Sequence, residues 1–269
     1  MAQVTDRWAV GAAYESFMGR WSRGVARGFV EWLEVAPRAH WLDFGCGTGA
    51  LSAAICELKN PGSVLACDAS GPLLEQARER LPDKRVAFEI AQAERPPERE
   101  GGFDVAVSGL VLNFLDDPQR ALAALRGRLS ARGCAASYVW DYAGGIQFLG
   151  HFWRAALALD SAAAPLAEDA RFGRWNCALL SSLLRGAGYS RIETRAIEIE
   201  TVFAGFDDFW RPFLGRTGPA PSYVASLAPE RRDALRERLR QDLPLDSDGR
   251  IRLAARAWAV RGLLGAEPS

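Results

Sequence analysis

Histidine and cysteine, the side chains that most often hold metal ions, are scarce and scattered in this chain. It has two histidines and five cysteines, and no cysteine shows the paired spacing of a zinc site. An odd number of dispersed cysteines also argues against a disulfide framework. Most of them lie in apolar stretches, where cysteine commonly acts as a small buried residue. The sequence therefore predicts no metal site and a reduced, cytoplasmic protein.

Long apolar runs and an excess of one charge are also missing. No run of the sequence is long enough to span a bilayer, and the polar start of the chain does not resemble a secretory signal. Lysine plus arginine and aspartate plus glutamate number 33 each, so the formal net charge is zero. Such a balance gives no global field that would attract nucleic acid or an anionic membrane. We therefore expect neither of them as a partner.

A glycine-rich turn after an apolar strand is the strongest local feature. Residues 41–49 read WLDFGCGTG, and an apolar, helix-like stretch follows directly. The three glycines permit positive φ angles and let a ligand approach the backbone closely. The N–H groups at the start of the helix then offer hydrogen bonds to that ligand. A strand, glycine turn and helix in this order form the ligand-binding device of doubly wound α/β domains.

Asp43, at the tip of this strand, indicates what kind of ligand the turn suits. A carboxylate there would repel phosphates. The spacing is G-x-G-x-G, so neither the G-x-G-x-x-G pattern nor a P-loop is present. A nicotinamide-dependent oxidoreductase is therefore disfavoured. An acid beside the turn suits a ligand with positive charge, such as S-adenosylmethionine with its ammonium and sulfonium groups.

Residues 43–49 resemble the first motif of class I S-adenosylmethionine-dependent methyltransferases. The resemblance covers about residues 10–140. It implies S-adenosylmethionine as the cofactor and S-adenosylhomocysteine as its product. It also implies cofactor contacts in the turn and at the ends of the following strands, at Asp43, Gly45, Cys46, Gly47, Asp68, Ala69, Gln92, Ala93, Ser108 and Gly109.

Two of these positions can also be interpreted from their chemistry. Asp68 stands 19 residues beyond Gly49, close to the roughly 20-residue spacing of the ribose-binding acid in nucleotide folds. Its carboxylate can accept hydrogen bonds from both ribose hydroxyls, and a turn or helix-capping aspartate is the alternative. In the resembled family an acid usually stands at the position of Gln92 and reaches the adenine amino group. The side-chain oxygen of glutamine can accept the same hydrogen bond.

The first helical stretch, residues 11–34, carries apolar and aromatic side chains at helical spacing. Residues 14–23 resemble the N-terminal segment of small-molecule methyltransferases of the ubiquinone-biosynthesis group, in which such a helix folds over the methionine end of the cofactor. The resemblance implies cofactor contacts at Tyr14, Arg20 and Trp21, with the tyrosine hydroxyl and the arginine on the carboxylate. Ordinary core packing is the alternative for this stripe.

Substrate contacts are expected after the fourth and fifth strands, 103–108 and 134–140. The carboxyl ends of strands line the ligand crevice of an open α/β sheet. Asn113 could equally be a turn residue, and His151 could be an ordinary helix residue. The candidates for substrate contact are Asn113, Trp140, Tyr142 and Trp210, and the candidates for a general base are Asp141, Tyr142 and His151.

The second half of the chain completes the sheet and adds an insertion. Residues 191–203 and 249–260 have the pattern of two strands that pair antiparallel. Residues 204–246 between them are first aromatic and then amphipathic, which is typical of a lid or of a dimer contact. We predict a single domain over 1–269: a doubly wound, mostly parallel seven-stranded sheet with helices on both faces and an antiparallel last strand. Within it, 1–34 form an N-terminal helical cap, 35–203 and 247–262 the core, and 204–246 a helical insertion.

Together these features predict methyl transfer from S-adenosylmethionine to a small-molecule acceptor, by a monomer or homodimer. Catalysis would come mainly from proximity and alignment, because the cofactor already carries its leaving group. Aromatic pocket walls would suit a planar or apolar acceptor. An RNA or protein methyltransferase and a non-catalytic S-adenosylmethionine-binding protein remain alternatives, since fold does not determine function.

Overall fold

The structure, a computed structural model, describes residues 15–215 and 218–265, with side chains from Phe17 onwards. The predicted cofactor contact Tyr14 lies outside the described residues.

Seven strands form one mixed sheet in the order β3-β2-β1-β4-β5-β7-β6. Strands β1 to β5 pair in parallel, and β7 runs antiparallel to β5. This order and the antiparallel last strand confirm the predicted fold class. The strands are β1 (His40–Phe44), β2 (Ser63–Asp68), β3 (Val86–Ile90), β4 (Phe103–Gly109), β5 (Leu129–Trp140), β6 (Ser190–Phe203) and β7 (Ile251–Leu263).

Helices lie between most successive strands, although β3 and β4 are joined without one, and a π-helical turn (Glu15–Gly19) leads into the first helix. Short 3₁₀ turns lie at Leu112–Phe114, Ser161–Leu166 and Arg211–Leu214. The helices are α1 (Arg20–Trp32), α2 (Ala50–Leu58), α3 (Gly71–Arg80), α4 (Pro118–Arg126), α5 (Gln147–Leu159), α6 (Glu168–Phe172), α7 (Cys177–Gly186), α8 (Phe206–Trp210), α9 (Pro219–Ser226) and α10 (Pro229–Asp242).

β5 begins five residues earlier than the sequence pattern indicates. The sequence analysis starts this strand at Cys134, whereas it begins at Leu129. Its pairing with β4 shifts register between Phe103 and Val105, and most of its first residues are partly or fully exposed. The start of β5 therefore carries no strand pattern in the sequence, although Leu129 pairs with Phe103.

The chain divides into two compact units. Of the described residues, the sheet unit contains 22–140, 175–197 and 257–265, and the insertion unit contains 15–21, 141–174, 198–215 and 218–256. Residues 141–174, which the sequence analysis does not set apart, thus belong to the same unit as the predicted insertion 204–246.

The core of the sheet unit lies on β1 and β4, the two strands at its centre. Trp41 and Leu42 of β1 and Val107 of β4 are fully buried. Phe29 of α1 is also fully buried and lies against the Tyr138 ring of β5, at 4.7 Å between ring centroids. The carboxyl ends of β1 and β4 are therefore held by a packed core, which keeps the loops that follow them in position.

Aromatic rings form the core of the insertion unit. Phe152 and Phe213 stack at 4.5 Å between centroids, and Phe17 meets Phe213 edge-on at 5.5 Å. Trp210, a predicted substrate residue, is 5% exposed and also lies against Phe213. Aromatic residues of the predicted insertion 204–246 thus pack within this core.

A buried acid joins three helices of the insertion unit. Glu168, at the start of α6, accepts a hydrogen bond from the indole N–H of Trp153 in α5. Its other oxygen accepts one from the backbone N–H of Ala220 in α9, at 3.3 Å. Burial raises the pKa of Glu168 to about 7, although both hydrogen bonds act to lower it. The charged form is therefore disfavoured in the folded protein.

The stability of the protein should consequently depend on pH through Glu168. Because its folded pKa exceeds its unfolded value, its contribution is fully present below about pH 4.5 and is lost as pH rises through about 7. In Glu168→Gln, the fall in the free energy of unfolding between pH 5 and pH 8.5 should be smaller by about 3 kcal/mol. Urea titrations at both pH values measure this difference. An unchanged pH dependence would contradict the prediction, whatever the absolute stability of the variant.

Candidate functional site

The glycine turn after β1 is tied to the end of β2 by backbone hydrogen bonds. The N–H groups of Gly45 and Cys46 both donate to the carbonyl oxygen of Cys67, at 2.8 and 2.9 Å. Gly45, Gly47 and Gly49 have φ angles of +72°, +54° and +85°. These are left-handed conformations that favour glycine, so the sequence folds here as the glycine pattern predicts.

The surroundings of two of these glycines differ. A Cβ atom added at Gly45 would lie 2.5 Å from a methyl carbon of Val111, so the loop after β4 leaves no room there. A Cβ added at Gly47 would meet nothing within 4 Å. Gly45 is therefore required by packing, whereas Gly47 borders open space where a ligand can approach the backbone.

Asp43 lies buried beneath this turn. Its Oδ2 atom accepts a hydrogen bond of 2.6 Å from the hydroxyl of Ser52 in α2. Its Oδ1 atom is buried without a hydrogen-bond partner in the described part of the chain. Burial raises the pKa of Asp43 to about 7, opposed by the Ser52 hydrogen bond and reinforced by the charge of Asp68. A cation bound nearby would favour the ionised form of this acid.

Asp68, at the end of β2, links the glycine turn to the start of α3. Its Oδ2 atom accepts from the N–H of Gly47 at 2.9 Å, and its Oδ1 atom accepts from the N–H of Ser70 at 2.8 Å. Each carboxylate oxygen can accept further hydrogen bonds. Asp68 is thus a turn aspartate, whereas the N-cap of α3 is Ser70, and the carboxylate keeps acceptor capacity for two hydroxyl groups.

The end of β4 holds two buried polar groups without partners in the residues described. They are the hydroxyl of Ser108 and the side-chain nitrogen of Asn113, and both residues are more than nine-tenths buried. Gly109 lies so close to Tyr138 that an added Cβ would be 2.5 Å from the phenol oxygen. Leu110 follows with a φ of +62°. Orphaned polar atoms at the ends of β1 and β4 fit a polar ligand, since buried polar groups normally have partners.

A polar cleft follows β3 and continues towards α4. Gln92 is exposed on its wall. Charged side chains supply the other walls of this cleft of about 440 Å³, namely Glu94, Arg95, Asp116, Asp117 and Arg120. The neighbouring predicted contacts Ala69 and Ala93 are exposed and partly exposed.

The remaining predicted site residues have different surroundings. Trp140 is buried at the end of β5, and Tyr142 lies against the Phe172 ring at 5.1 Å between centroids. Asp141 is 3% exposed and accepts two hydrogen bonds from Arg256, at 2.7 and 2.9 Å. His151 is half-buried in α5; burial lowers its pKa, and the charge of Arg154 lowers it further. Arg20 and Trp21 stand at the start of α1.

Several residues that shape these sites escape sequence reasoning. Ser52, Val111 and Tyr138 contact the predicted cofactor residues, and Arg256 holds Asp141. A serine in the otherwise apolar first turns of α2 is the only local signal among them. The others depend on contacts between distant parts of the chain.

Two features are absent from the described part of the chain. Among the described residues, no group of three or more histidine, cysteine, aspartate or glutamate side chains is placed to hold a metal ion. In the part of the chain that the structure describes, no helix is both long and apolar enough to cross a bilayer.

Comparison with known proteins points to one family. The family model described as "Methyltransferase domain" matches residues 42–135. A demethylmenaquinone methyltransferase of Lactiplantibacillus plantarum is 34% identical over 95 residues, 34% of this chain and 40% of that protein. A trans-aconitate 2-methyltransferase of Methylobacterium radiotolerans is 37% identical over 107 residues, 39% of each chain. The chain thus spans about two fifths of the length of these curated relatives.

A solved structure agrees over a longer stretch. It is a phosphoethanolamine N-methyltransferase 2 of Haemonchus contortus in complex with phosphomonomethylethanolamine and S-adenosylhomocysteine. The TM-score is 0.56 with 15% sequence identity, over 99% of this chain and 58% of that one. At this identity the likeness shows the fold.

The sheet order and the sequence match both support the class that this chain resembles, the class I S-adenosylmethionine-dependent methyltransferases. The segment of this chain that matches the family model is residues 42–135. The predicted resemblance is therefore confirmed.

Proposed function

We propose that this protein transfers a methyl group from S-adenosylmethionine to a small-molecule acceptor. The observation that carries the proposal is the glycine turn held between Asp43 and Asp68. Gly47 borders open space there, and Asp43 keeps an unpartnered buried oxygen among the described residues. This arrangement suits a cationic nucleoside and does not suit a phosphate.

Individual residues can hold each part of the cofactor. We expect Asp43 and the turn at Gly45 and Gly47 to face its amino-acid portion, Asp68 its ribose and Gln92 its adenine. When bound, S-adenosylmethionine supplies an electrophilic methyl group on a cationic sulfur. The further contacts proposed from the resemblance are Arg20, Trp21, Cys46, Ala69, Ala93, Ser108 and Gly109.

Two observations support a small acceptor. The two relatives described above are named for small molecules, demethylmenaquinone and trans-aconitate. The chain also has no net charge that would favour a nucleic acid. Asn113, Trp140, Tyr142 and Trp210 stay our proposals for the residues that contact the acceptor. A cytoplasmic monomer or homodimer, built as one domain, likewise stays a proposal.

The candidates for a general base are unequal. The Oδ2 atom of Asp141 accepts both hydrogen bonds from Arg256, and its Oδ1 atom accepts from the N–H of Ala143 at 3.1 Å. Both oxygens of Asp141 are therefore already engaged by donors of the protein. Burial lowers the pKa of His151, which favours the neutral imidazole, the form that can accept a proton. Tyr142 can act as a base only on a methyl acceptor that lies within reach of its phenol oxygen.

Calorimetric titration with S-adenosylmethionine, S-adenosylhomocysteine and NADH tests the cofactor. We expect Kd values on the order of micromolar for the first two, equivalent to about 8 kcal/mol, and no binding of NADH. Transfer of a labelled methyl group to a panel of carboxylic acids, quinols, phenols and amines tests the reaction. Binding without transfer to any of them would favour a non-catalytic protein, and labelling of bulk RNA or protein would favour a macromolecular substrate.

Replacing Asp68 by asparagine should weaken cofactor binding. The amide would place an N–H group against one of the two backbone donors, from Gly47 or Ser70, that the carboxylate now accepts. Hydrogen bonds to charged groups contribute about 1.5–3 kcal/mol, so we expect S-adenosylhomocysteine to bind at least ~10-fold more weakly. Calorimetry measures this loss. Asp83→Asn is a matched control, because Asp83 accepts a backbone N–H in the same way at the turn before β3. Equal affinities in the two variants would refute the assignment of Asp68.

A further inference from the structure

Arg20 has an unusual environment at the start of α1. Its guanidinium carbon lies 4.1 Å from the centroid of the Trp21 ring and 4.6 Å from that of Phe203. Its Nη1 atom donates to both carboxylate oxygens of Asp208 in α8, at 3.1 Å each. Two aromatic rings and one acid therefore limit how the guanidinium can rotate.

The opposite edge of the same guanidinium has no protein partner in the residues described. The Nε and Nη2 atoms of Arg20 are both buried, and neither donates a hydrogen bond to a described residue. Two neighbouring N–H groups on one planar edge match the two oxygens of a carboxylate. Buried donors of a charged group are normally satisfied, so this edge fits a ligand that carries a carboxylate.

Asp208 is itself firmly placed. Its Oδ2 atom also accepts the N–H of Ala204 at 3.0 Å, which fixes the carboxylate against the backbone before α8. The Arg20–Asp208 pair is about one-third exposed on both sides. Because solvent screens partly exposed charges, the negative charge of Asp208 weakens the attraction of Arg20 for an anion only moderately. The main effect of Asp208 is to fix the orientation of the Arg20 guanidinium.

We propose that Asp208 is a positioning residue, which turns the Nε–Nη2 edge of Arg20 towards the carboxylate of a bound ligand. The inference rests on the proposed function and deepens it. The carboxylate could belong to the amino-acid portion of S-adenosylmethionine or to an acidic methyl acceptor. Both sources present the same planar anion, and the experiment below separates them.

Two nucleosides separate a carboxylate effect from a general loss of structure. S-adenosylhomocysteine carries the amino-acid portion, and 5′-methylthioadenosine keeps the nucleoside and the sulfur without it. In Asp208→Ala we expect S-adenosylhomocysteine to bind about 10-fold more weakly, and 5′-methylthioadenosine to bind as in the wild type. Asp208→Asn keeps an acceptor for Nη1 and should stay within about 3-fold of the wild type for both ligands.

The neighbouring acid Asp207 provides a matched control. It lies on the same helix and pairs with Arg236 at 3.0 Å, but its side chain is 74% exposed. Asp207→Ala should leave the affinities for both nucleosides unchanged.

A second titration tests whether the carboxylate belongs to an acidic methyl acceptor. In it, trans-aconitate is added to protein that is saturated with S-adenosylhomocysteine. If Asp208→Ala loses trans-aconitate binding and keeps its affinity for both nucleosides, the Nε–Nη2 edge of Arg20 binds the carboxylate of an acidic methyl acceptor.

The outcomes distinguish this inference from the proposed function. If the wild type binds neither nucleoside, the proposed function fails. If it binds them and Asp208→Ala weakens both equally, or weakens neither nucleoside nor trans-aconitate, the positioning role is refuted and the proposed function stands. Tighter binding of the carboxylate ligand in both Asp208 variants would show that Asp208 competes for Arg20, which also refutes the proposal.

Discussion

Replacing Gly45 by alanine is expected to abolish binding of S-adenosylmethionine and to lower the free energy of unfolding by about 3 kcal/mol. The new Cβ would lie 2.5 Å from one methyl carbon of Val111 and 3.0 Å from the other, in a backbone conformation with φ of +72°. Overpacking of this kind typically costs about 1–3 kcal/mol, and a left-handed alanine adds about 1 kcal/mol. The loop after β4 or the turn itself must shift, and the proposed cofactor site shifts with it.

Replacing Gly47 by alanine separates the effect on cofactor binding from the effect on stability. The φ of Gly47 is +54°, and the added methyl group would meet no atom within 4 Å. We expect a loss of only about 1 kcal/mol in stability. Affinity for S-adenosylmethionine should nevertheless fall at least ~10-fold, because the methyl group occupies the space that the ligand is proposed to use. Urea unfolding and calorimetry on both variants separate the two effects.

A third variant tests the packing explanation for Gly45. Trimming the opposing side chain in Gly45→Ala/Val111→Ala should restore part of the lost stability. Wild-type stability and affinity in Gly45→Ala would contradict our account of the turn. Wild-type affinity in Gly47→Ala would show that the ligand does not approach this part of the backbone.

Replacing Arg256 by methionine should cause the largest loss of stability at a single ion pair. The Asp141 side chain is 4% exposed, and Arg256 donates two hydrogen bonds to it. Removing one partner of a fully buried pair typically costs about 3–5 kcal/mol, and because Arg256 is itself 36% exposed we expect a loss of about 3 kcal/mol. Asp141→Asn removes the charge of Asp141, so the double variant Arg256→Met/Asp141→Asn should recover most of the loss. Urea unfolding of the wild type, the two single variants and the double variant gives the free energies of a double-mutant cycle.

Arg252 is the matched control for this cycle. It lies four residues earlier on the same strand and pairs with Asp246 at 2.9 Å, but both side chains are more than 40% exposed. Exposed pairs contribute about 0–1 kcal/mol, so Arg252→Met should lose less than about 1 kcal/mol. Equal losses in the Arg252 and Arg256 variants would show that burial of Asp141 does not determine the effect.

Much of the fold could be predicted because its signals are local. The glycine turn, the acids at Asp43 and Asp68, and the alternating or helical spacing of apolar residues each occupy a short stretch of chain. Backbone conformation and burial pattern follow from such neighbours. The start of β5 could not be predicted, because its first residues are largely exposed and pair with β4 only through a register shift.

By itself, the sequence determined the class of the fold and the chemistry of the glycine turn, because short-range patterns of glycine, acid and apolar residues specify both. Only the tertiary structure decided which distant groups meet. Arg20 and Asp208 are 188 residues apart, and Asp141 and Arg256 are 115 apart. Neither pair has a spacing that a pattern could reveal, since their contact depends on how the whole chain packs. The raised pKa values of Asp43 and Glu168 have the same origin, because burial is a property of the folded chain.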